Sequence, residues 1–280
     1  MKGKCALFDY HVHTEFSVDC ATSMATSCVA AIEAGITEIA FTDHVDHQPA
    51  DFGFGYYRIE DYFRSLEDVR KEFGDRLTIL AGAEIDFHTD TYDAVKRFVD
   101  ANLERYDFTI GSVHYAANGE LIYPPLYDSM TLDEVFTPYL QEVEAAVRTG
   151  WFSSIGHIDI PKRYLPKAKR MYEPADIRER LQPVFRAMIE LSVGFEINTS
   201  GIRQAPKTSM PGPAIVRWYA DAGGTRITTG TDSHTDRTIG AGVPITLEML
   251  RLCGVPAVMS FRDRIGTPVP IDRLLARRAA

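Results

Sequence analysis

The 280-residue sequence contains only four cysteines, and no two of them form a CxxC pair. Cys5, Cys20, Cys28 and Cys253 therefore predict neither a disulfide framework nor a thiolate zinc site, and they are typical of a reducing compartment. No apolar run approaches the roughly 18 residues that a membrane-spanning helix requires. The segment before Phe8 leads directly into the first predicted strand, so we expect no signal peptide and a cytoplasmic location.

The sequence also lacks an excess of basic residues. Its 30 lysines and arginines are outnumbered by 39 aspartates and glutamates, which gives a formal net charge of −9 and a pI near 5.4. Nucleic-acid surfaces normally need a basic stripe, so we expect neither a nucleic-acid nor a membrane partner. The composition, 45% hydrophobic and 25% charged, is that of a globular protein with a sizeable core. These features do not predict the oligomeric state.

Strand-like and helix-like patterns alternate along the whole chain. In the segment Ile59–Phe73, for example, apolar residues recur with a helical period, and Gly74 follows as the helix end. About seven strand–helix units follow one another, which predicts a parallel sheet, either a barrel or an open doubly wound sheet. The predicted strands are 6–13, 37–42, 77–85, 107–114, 151–157, 193–198 and 226–230, and the predicted helices are 25–34, 59–73, 92–103, 132–147, 177–191 and 214–222.

Six of the eight histidines, together with one glutamate, stand at the ends of predicted strands. The carboxyl ends of parallel strands converge at one face of an α/β barrel, where active sites are built. In an open sheet the site draws on few strands, whereas here nearly every strand ends in a candidate ligand. We therefore predict a closed, TIM-like barrel. The strand-end residues are His11, His13, His44, Glu84, His114, His157 and His234.

Several of these residues are spaced as metal ligands are. His11 and His13 point to the same face of one strand, which lets both imidazoles bind one ion. His44 is preceded by Asp43, which either binds metal itself or holds the imidazole in place. The carboxylate of Glu84 ends a strand, where an unpaired buried charge is costly and where it is suited to bridge two cations.

Asp232 and Asp19 add carboxylates to this set. Asp232 lies two residues before His234 and shares its face. Asp19 lies in a polar loop, where a carboxylate taken alone is typical of a solvated side chain or a helix cap. Six histidines, Glu84, Asp232 and Asp19 make nine candidate ligands, too many for one tetrahedral ion. Two or three ions fit, and imidazole with carboxylate suits zinc, manganese or iron. Clustered cations of this kind indicate phosphoester hydrolysis.

A series of short motifs resembles that of the PHP (polymerase and histidinol phosphatase) superfamily, in the same order along the chain. The motifs are Asp9–Thr14, Thr42–His44, Gly82–Glu84, Gly111–His114, Ile155–His157 and Thr231–His234. The resemblance implies a single PHP domain over residues 1–280, a distorted seven-stranded (β/α)7 TIM-like barrel that holds three metals. The implied ligands are His11, His13, Glu84 and Asp232 for one metal, Glu84, His114 and His157 for a second, and Asp19, His44 and His234 for a third.

Three longer sequence segments resemble those of the stand-alone histidinol-phosphate phosphatases of that superfamily. They are residues 111–115, 156–164 and 196–203. The implied activity is hydrolysis of L-histidinol phosphate, a small phosphomonoester, to L-histidinol and phosphate in histidine biosynthesis. A metal-bridging hydroxide is the expected nucleophile, attacking phosphorus in line. Relatives in the superfamily hydrolyse other phosphoesters, so the alternative is a phosphatase or phosphodiesterase that acts on nucleotides or on another small phosphoester.

Roles at the reacting phosphate follow from the same placement. Arg163 and Arg203 lie just beyond strand ends and are predicted to contact the phosphate bidentately. The leaving alkoxide takes a proton from an acid such as Asp43 or Asp159, or is stabilised by a metal ion. The predicted catalytic carboxylates are Asp43, Glu84 and Asp232.

Two further classes of function stay open from the sequence. An amidohydrolase-type C–N hydrolase shares the barrel and the His-x-His pair, but it typically has one or two metals and often a bridging lysine at a strand end. No predicted strand ends in such a lysine. A non-enzymatic, metal-dependent binding protein would load metals without turning over any phosphoester.

Overall fold

The computed structural model describes residues 7–115, 122, 127, 129–165 and 174–276 of the chain. Ala6, with which the first predicted strand begins, lies outside these residues. The strands are β1 (Leu7–Val12), β2 (Ile36–Phe41), β3 (His44–Val45), β4 (Thr78–Asp86), β5 (Phe108–Ser112), β6 (Ser154–Ile155), β7 (Gly194–Asn198), β8 (Ile227–Gly230), β9 (Ala257–Arg262) and β10 (Ile265–Pro270).

Seven of these strands form one parallel ring in the order β1-β2-β4-β5-β6-β7-β8. β8 and β1 close the ring through a small number of bonds. The N–H of Asp232 donates to the carbonyl of His11 at 2.8 Å, and the N–H of His13 donates to the carbonyl of Ser233 at 2.9 Å. This nearly closed ring confirms the predicted distorted seven-stranded barrel.

The distortion is concentrated where the second strand of the ring breaks. β2 and β3 both pair with β4, but the two residues between them interrupt the ladder. The hydroxyl of Tyr62 fills the gap, since it donates to the carbonyl of Phe41 at 2.8 Å and accepts from the N–H of Gly82 at 2.9 Å. After the break, His44 lies in register with Glu84. The break therefore places a histidine directly beside the strand-end glutamate.

Helices follow the strands and cover the outside of the ring. They are α1 (Met24–Glu33), α2 (Ile59–Phe73), α3 (Tyr92–Asn102), α4 (Leu132–Thr149), α5 (Pro161–Tyr164), α6 (Arg178–Leu191), α7 (Ser200–Arg203), α8 (Pro213–Asp221), α9 (Val243–Leu252) and α10 (Ile271–Ala276). α2 buries Tyr62, Leu66 and Phe73 on one face, as its helical period predicts. A capping box between Thr131 and Glu134 begins α4. No helix in the described part of the chain is both long and apolar enough to cross a membrane.

The six predicted helices are all present, with ends that differ from the prediction by at most two residues. The predicted strand 151–157 shrinks to the two residues of β6. The sequence pattern did not predict α9, although Gly242 in the left-handed region and Pro244 in the first turn mark its start. It also missed the short helices α5 and α7, each of which follows a strand end and carries one of the two predicted phosphate-binding arginines.

The amino-terminal end of the ring is closed by the antiparallel hairpin of β9 and β10. Phe261 packs against Tyr10 and Phe108, with ring centroids 6.0 and 5.0 Å apart, and its N–H donates to the Tyr10 hydroxyl at 2.8 Å. At the hairpin turn, the N–H of Arg264 donates to the carbonyl of Asp107, just before β5, at 2.8 Å. Aromatic packing therefore seals the end of the ring opposite the strand-end histidines.

A buried glutamate at this closed end has partners for both of its oxygens. The Oε1 of Glu38 accepts from the Tyr10 hydroxyl and from Ser260 Oγ, the latter at 2.8 Å. Its Oε2 accepts from Arg262 Nη2 at 2.7 Å. Glu38 thus ties β2 to the hairpin without leaving a charge unpaired.

Candidate metal centre

The predicted strand-end residues converge at the carboxyl-terminal end of the ring, beside a cavity of about 250 Å³. Three overlapping groups of them place ligand atoms within 4.8 Å of one another. Glu84 and His13 each belong to two of these groups, so the three form one continuous cluster. The groups are His11, His13 and Glu84; Glu84, His114 and His157; and His13, His44 and His234.

One oxygen of Glu84 faces three histidines from the first strands of the ring. Glu84 Oε2 lies 2.9 Å from His44 Nδ1, 3.2 Å from His11 Nε2 and 3.5 Å from His13 Nε2. The two Nε2 atoms of His11 and His13 are themselves only 3.0 Å apart. The His-x-His pair on β1 therefore points both imidazoles at one carboxylate oxygen, as the strand alternation predicts.

The other oxygen of Glu84 faces the opposite wall. Glu84 Oε1 lies 3.2 Å from His157 Nε2 and 3.7 Å from His114 Nε2, and it accepts a hydrogen bond from Ser112 Oγ at 2.5 Å. Behind His114 lies Asp86, whose Oδ1 is 3.1 Å from His114 Nδ1. The two oxygens of Glu84 thus serve two separate sets of imidazoles, which is the arrangement of a bridging carboxylate.

The third group lies nearest to solvent. His234 Nε2 is 3.1 Å from Asp19 Oδ2, and His44 Nε2 is 3.8 Å from Asp19 Oδ1. The ring of His234 stacks on that of His13, with centroids 4.0 Å apart. The loop carboxylate of Asp19 therefore joins the cluster between His44 and His234.

Asp232 completes the cluster on the side of β8. Its Oδ1 lies 3.5 Å from His13 Nε2 and 3.6 Å from His234 Nδ1. Its Oδ2 accepts from Arg163 Nη2 at 3.0 Å and from Asn198 Nδ2 at 3.2 Å. Asp232 has a left-handed φ of 53°, an uncommon conformation for aspartate that turns the chain away from β8 toward His234.

The donor atoms of the cluster fit metal ions better than they fit one another. His44 Nδ1 and Glu84 Oε2 are buried, 2.9 Å apart, and neither has a hydrogen bond of acceptable geometry within the described residues. His11 and His13 are almost completely buried and turn two ring nitrogens toward each other. Buried lone pairs without hydrogen-bond partners are costly. Divalent ions with nitrogen and carboxylate ligands satisfy such atoms, and this donor set suits zinc, manganese or iron.

The charges of the cluster depend on one another. Burial raises the pKa of Glu84, but the charges of His11 and His44 outweigh it and hold the pKa well below its ordinary value. Burial and the neighbouring His234 and His44 hold the pKa of His13 well below its ordinary value. Glu84 and His13 are thus in the ionised and neutral states that a metal ion requires of its ligands. Burial lowers the pKa values of His11 and His44, but nearby carboxylates, chiefly Glu196 for His11 and Glu84 for His44, outweigh it and raise the first well above its ordinary value and the second to about 10, so a metal ion would displace a proton from each.

Asp43 has a different position from the one that its predicted catalytic role requires. It is fully buried and does not line the cavity within the described part of the chain. Its Oδ1 accepts from Thr14 N at 2.6 Å and Ser17 Oγ at 2.8 Å, and its Oδ2 accepts from Thr14 Oγ1 at 2.8 Å. Ser17 Oγ in turn lies 2.9 Å from His13 Nδ1 and accepts from His44 N at 3.0 Å. Asp43 therefore positions two candidate ligands through Ser17.

The two predicted phosphate-binding arginines are placed differently. Arg163 lines the cavity, and its Nη2 donates to Ser200 Oγ at 2.6 Å as well as to Asp232. Arg203 is absent from the described residues that line the cavity, because its guanidinium is turned to the backbone. It donates to the carbonyl of Thr231 at 2.7 Å. Arg203 thus holds the loop that carries Asp232, which differs from the predicted substrate contact.

Two carboxylates that support the cluster, those of Asp9 and Glu196, were not predicted from the sequence. Asp9 accepts from the N–H of Thr231 at 2.9 Å, from its hydroxyl at 2.6 Å and from the N–H of Gly240 at 2.9 Å. Glu196 lies 2.7 Å from His11 Nδ1. The available signal was strand parity, since Asp9 is two residues before His11 and Glu196 is two residues before Asn198.

The family model of the PHP domain matches residues 9–200 of the chain, well over half of its length. The probable histidinol-phosphatase of Deinococcus radiodurans is 28% identical over 270 residues, with 94% of this chain and 98% of that protein covered. The histidinol-phosphatase of Lactococcus lactis subsp. lactis is 28% identical over 266 residues, with 90% and 93% covered.

Solved structures show the same fold. The histidinol phosphate phosphatase from Lactococcus lactis subsp. lactis, complexed with zinc, L-histidinol and phosphate, aligns with a TM-score of 0.84 and 26% identity, covering 93% of this chain and 98% of that chain. The putative histidinol phosphatase from Listeria monocytogenes aligns with a TM-score of 0.72 and 18% identity, covering 84% and 98%, and is similar in fold alone. These comparisons confirm the resemblance that the motifs indicate. The chain belongs to the PHP domain family.

Proposed function

We propose that this chain is a metal-dependent phosphomonoesterase that hydrolyses L-histidinol phosphate to L-histidinol and phosphate, a step of histidine biosynthesis. One observation carries the proposal: Glu84 and His13, each a member of two ligand groups, join three such groups into one cluster, and Arg163 lines the same cavity. The comparisons support the substrate, because a similar enzyme binds zinc, L-histidinol and phosphate together.

The metal ligands that we propose divide the cluster into three positions. Glu84 belongs to the first two and is their bridge. The positions are His11, His13, Glu84 and Asp232; Glu84, His114 and His157; and Asp19, His44 and His234. Bound divalent ions supply Lewis acidity toward phosphoryl oxygens and lower the pKa of water so that it is a nucleophile near neutral pH.

Arg163 is the residue that we propose for binding the phosphate. Its guanidinium is mostly buried, and its Nε has no hydrogen-bond partner within the described residues. An arginine that lines the cavity beside a metal cluster is suited to a charge-assisted contact with a phosphoryl oxygen. Its bond to Asp232 keeps the guanidinium at the edge of the cluster. Phosphate therefore meets a fixed cation on one side and the metal positions on the other.

The remaining wall of the cavity suits the positively charged amino alcohol of histidinol phosphate. Asp46, Asp51 and Phe52 line the same cavity as Arg163. Burial raises the pKa of Asp46 to about 6, so this carboxyl is still largely ionised at neutral pH. The Tyr115 hydroxyl donates to Asp51 at 2.8 Å and holds that carboxylate toward the cavity. Gly53 permits the close approach of its loop, since a Cβ there would lie 2.1 Å from Asp46 Oδ2.

The experiment that tests the proposal measures phosphate release from L-histidinol phosphate on protein whose metal content has been counted. The comparison panel contains several phosphomonoesters, among them a nucleoside monophosphate, and one diester, bis(p-nitrophenyl) phosphate. We expect a clear preference for L-histidinol phosphate with two or three metals per chain. Preference for a nucleotide or the diester would retain the metal centre and overturn the substrate. Full metal loading without turnover would overturn the enzymatic function.

The cytoplasmic location is also a proposal. Cys20, Cys28 and Cys253 are free thiols in the structure, which is typical of a reducing compartment. The single domain over residues 1–280 and the absence of a nucleic-acid partner stay predictions, and the small phosphomonoester is the partner that the cavity supports.

A further inference from the structure

One strand of the ring, β7, ends in none of the predicted metal ligands, yet it borders the cluster. Its residues Glu196 and Asn198 are completely buried and two positions apart, so they share a face. Burying a carboxylate is costly because the charge is desolvated, so a buried carboxylate that binds no metal must be stabilised by hydrogen bonds. Glu196 has such hydrogen bonds.

The carboxylate of Glu196 is an acceptor on both of its oxygens. Its Oε2 accepts from the backbone N–H of His157 at 3.1 Å and from Asn198 Nδ2 at 3.2 Å. Its Oε1 lies 2.7 Å from His11 Nδ1. Since an ionised carboxylate only accepts, the hydrogen in this last contact belongs to His11 Nδ1. When a metal ion displaces the second proton of this imidazolium, the Nδ1 hydrogen held by Glu196 stays in place, and the lone pair of His11 is on Nε2, the atom that faces Glu84 and His13.

Gly230 on β8 leaves the space that the carboxylate of Glu196 occupies, because glycine has no side chain. A Cβ on Gly230, at the end of β8, would lie 2.2 Å from Glu196 Oε1 and 2.4 Å from the Cβ of His11. Neither neighbour can yield, because His11 is held on β1 and Glu196 is held by the N–H of His157. The close approach of β8 to this pair therefore depends on glycine.

We propose that Glu196 is a positioning residue for the metal centre: it sets the tautomer and direction of His11 and fixes the backbone that carries His157. The inference rests on the proposed metal centre. His11 and His157 belong to the two ligand groups that share Glu84, whereas within the described residues Glu196 forms no hydrogen bond or ion pair with Asp19, His44 or His234, the residues of the third position. Its loss should therefore weaken two metal positions and leave the third unchanged.

Glutamine at this position cannot reproduce the contacts of glutamate. An amide has one donor end and one acceptor end, whereas the three neighbours of Glu196 are all donors. If the amide nitrogen faces His157 N, two donors meet in a buried place. If it faces His11, the ring must become its Nε2–H tautomer, and the lone pair that faces the metal is lost. Either result removes the support that the carboxylate supplies.

The test measures zinc affinity of the metal-free protein by competition with a chromophoric chelator, for the wild type and for Glu196→Gln. We expect two of the zinc affinities to fall by about 10- to 100-fold and the third to be unchanged. Glu38→Gln is the matched control, since Glu38 is a buried strand glutamate at the closed end. That variant should lose stability and keep its zinc affinities. Equal affinities in the wild type and Glu196→Gln would overturn the inference.

A double variant separates positioning from general structural damage. If Glu196 acts through His11, then in a His11→Ala background Glu196→Gln should cause no further loss at the position that His11 serves. A full additional loss there would overturn the inference. Should Glu196→Gln not fold, Glu196→Asp keeps the charge but draws the carboxylate back, and we expect the same two affinities to fall. A wild type that binds no zinc or manganese would instead overturn the proposed function.

Discussion

Glu38 and Glu84 are buried glutamates on neighbouring strands of the barrel, and they differ in how completely the protein satisfies their oxygens with hydrogen bonds. At the closed end, both oxygens of Glu38 accept hydrogen bonds, from Tyr10 and Ser260 on one and from Arg262 on the other. At the open end, Glu84 Oε2 has no hydrogen-bond partner within the described residues although three histidines surround it. A satisfied buried carboxylate holds elements together, and an unsatisfied one is reserved for a ligand.

The same contrast extends to the groups around each glutamate. The closed end packs aromatic rings, among them Phe261 and Phe108, with centroids 5.0 Å apart. The open end gathers imidazoles whose nitrogens face one another, which is unfavourable without a bound cation. Stability is therefore concentrated at one end of the ring and binding capacity at the other, as expected where a site is maintained at a cost in stability.

The largest effect is expected from Glu84→Gln, which removes the charge shared by two ligand groups. The value of kcat/KM should fall by about 10⁴-fold or more, equal to about 5 kcal/mol, because the metals are no longer held in place. In the wild type, zinc at a thousand times its Kd should stabilise the fold by about 4 kcal/mol. Steady-state kinetics and thermal unfolding with and without zinc check both statements. Full zinc stabilisation of the variant would contradict the bridging role.

Phe261→Ala tests the closed end. The free energy of unfolding should fall by about 3–5 kcal/mol, because a large buried ring is replaced by a cavity. The value of kcat/KM should not change under conditions where the variant is folded. Urea unfolding and kinetics measure the two quantities. Ile265→Ala is the control, since Ile265 is 72% exposed in the same hairpin, and it should change stability by less than about 0.5 kcal/mol. A parallel loss of kcat/KM in Phe261→Ala would break the separation of the two ends.

Arg163→Ala and Arg203→Ala together sharpen the description of the open end. Arg163→Ala should lower kcat/KM by about 30-fold, or about 2 kcal/mol, because a charge-assisted phosphate contact is lost. Arg203→Ala should lower the free energy of unfolding by about 1 kcal/mol, through loss of the bond to the Thr231 carbonyl, with a smaller decrease in kcat/KM. A larger effect on KM in Arg203→Ala than in Arg163→Ala would restore the sequence-based assignment of Arg203.

The smallest effect is expected from Ser17→Ala, which separates His13 and His44 from Asp43. We expect zinc affinity at the positions of these histidines to fall by about fivefold, or about 1 kcal/mol, since one hydrogen bond to His13 Nδ1 is lost. Competition with a chelator measures it. Ser23→Ala is the control in the same loop, because Ser23 caps α1 at its start and its loss should lower stability alone. Unchanged zinc affinity in Ser17→Ala would remove Asp43 from the support of the site.

Much of the fold and of the candidate cluster was predictable because both follow from local patterns. Strand and helix periods appear in the residues themselves, and parallel strands must bring their carboxyl ends to one face. His11, Glu84 and His157 could therefore be placed together before any contact was known. The break between β2 and β3 was not predictable in this way, since Tyr62 fills it from a helix twenty residues away from Gly82.

The supports of the cluster could not be predicted, because they depend on contacts between distant parts of the chain. Glu196 and His11 are in contact although 185 positions separate them in the sequence, and Phe261 contacts Tyr10 although 251 positions separate them. Arg203 shows the same limit, since its position after a strand end is compatible with phosphate or with a carbonyl. By itself, the sequence determined the barrel, the strand-end positions of the candidate ligands and the family, because each of these follows from local patterns and short motifs. Only the tertiary structure decided which buried carboxylates accept hydrogen bonds from the protein and which face the candidate site. The reason is that the donors come from distant parts of the chain, which lie beside each carboxylate only after the ring has closed.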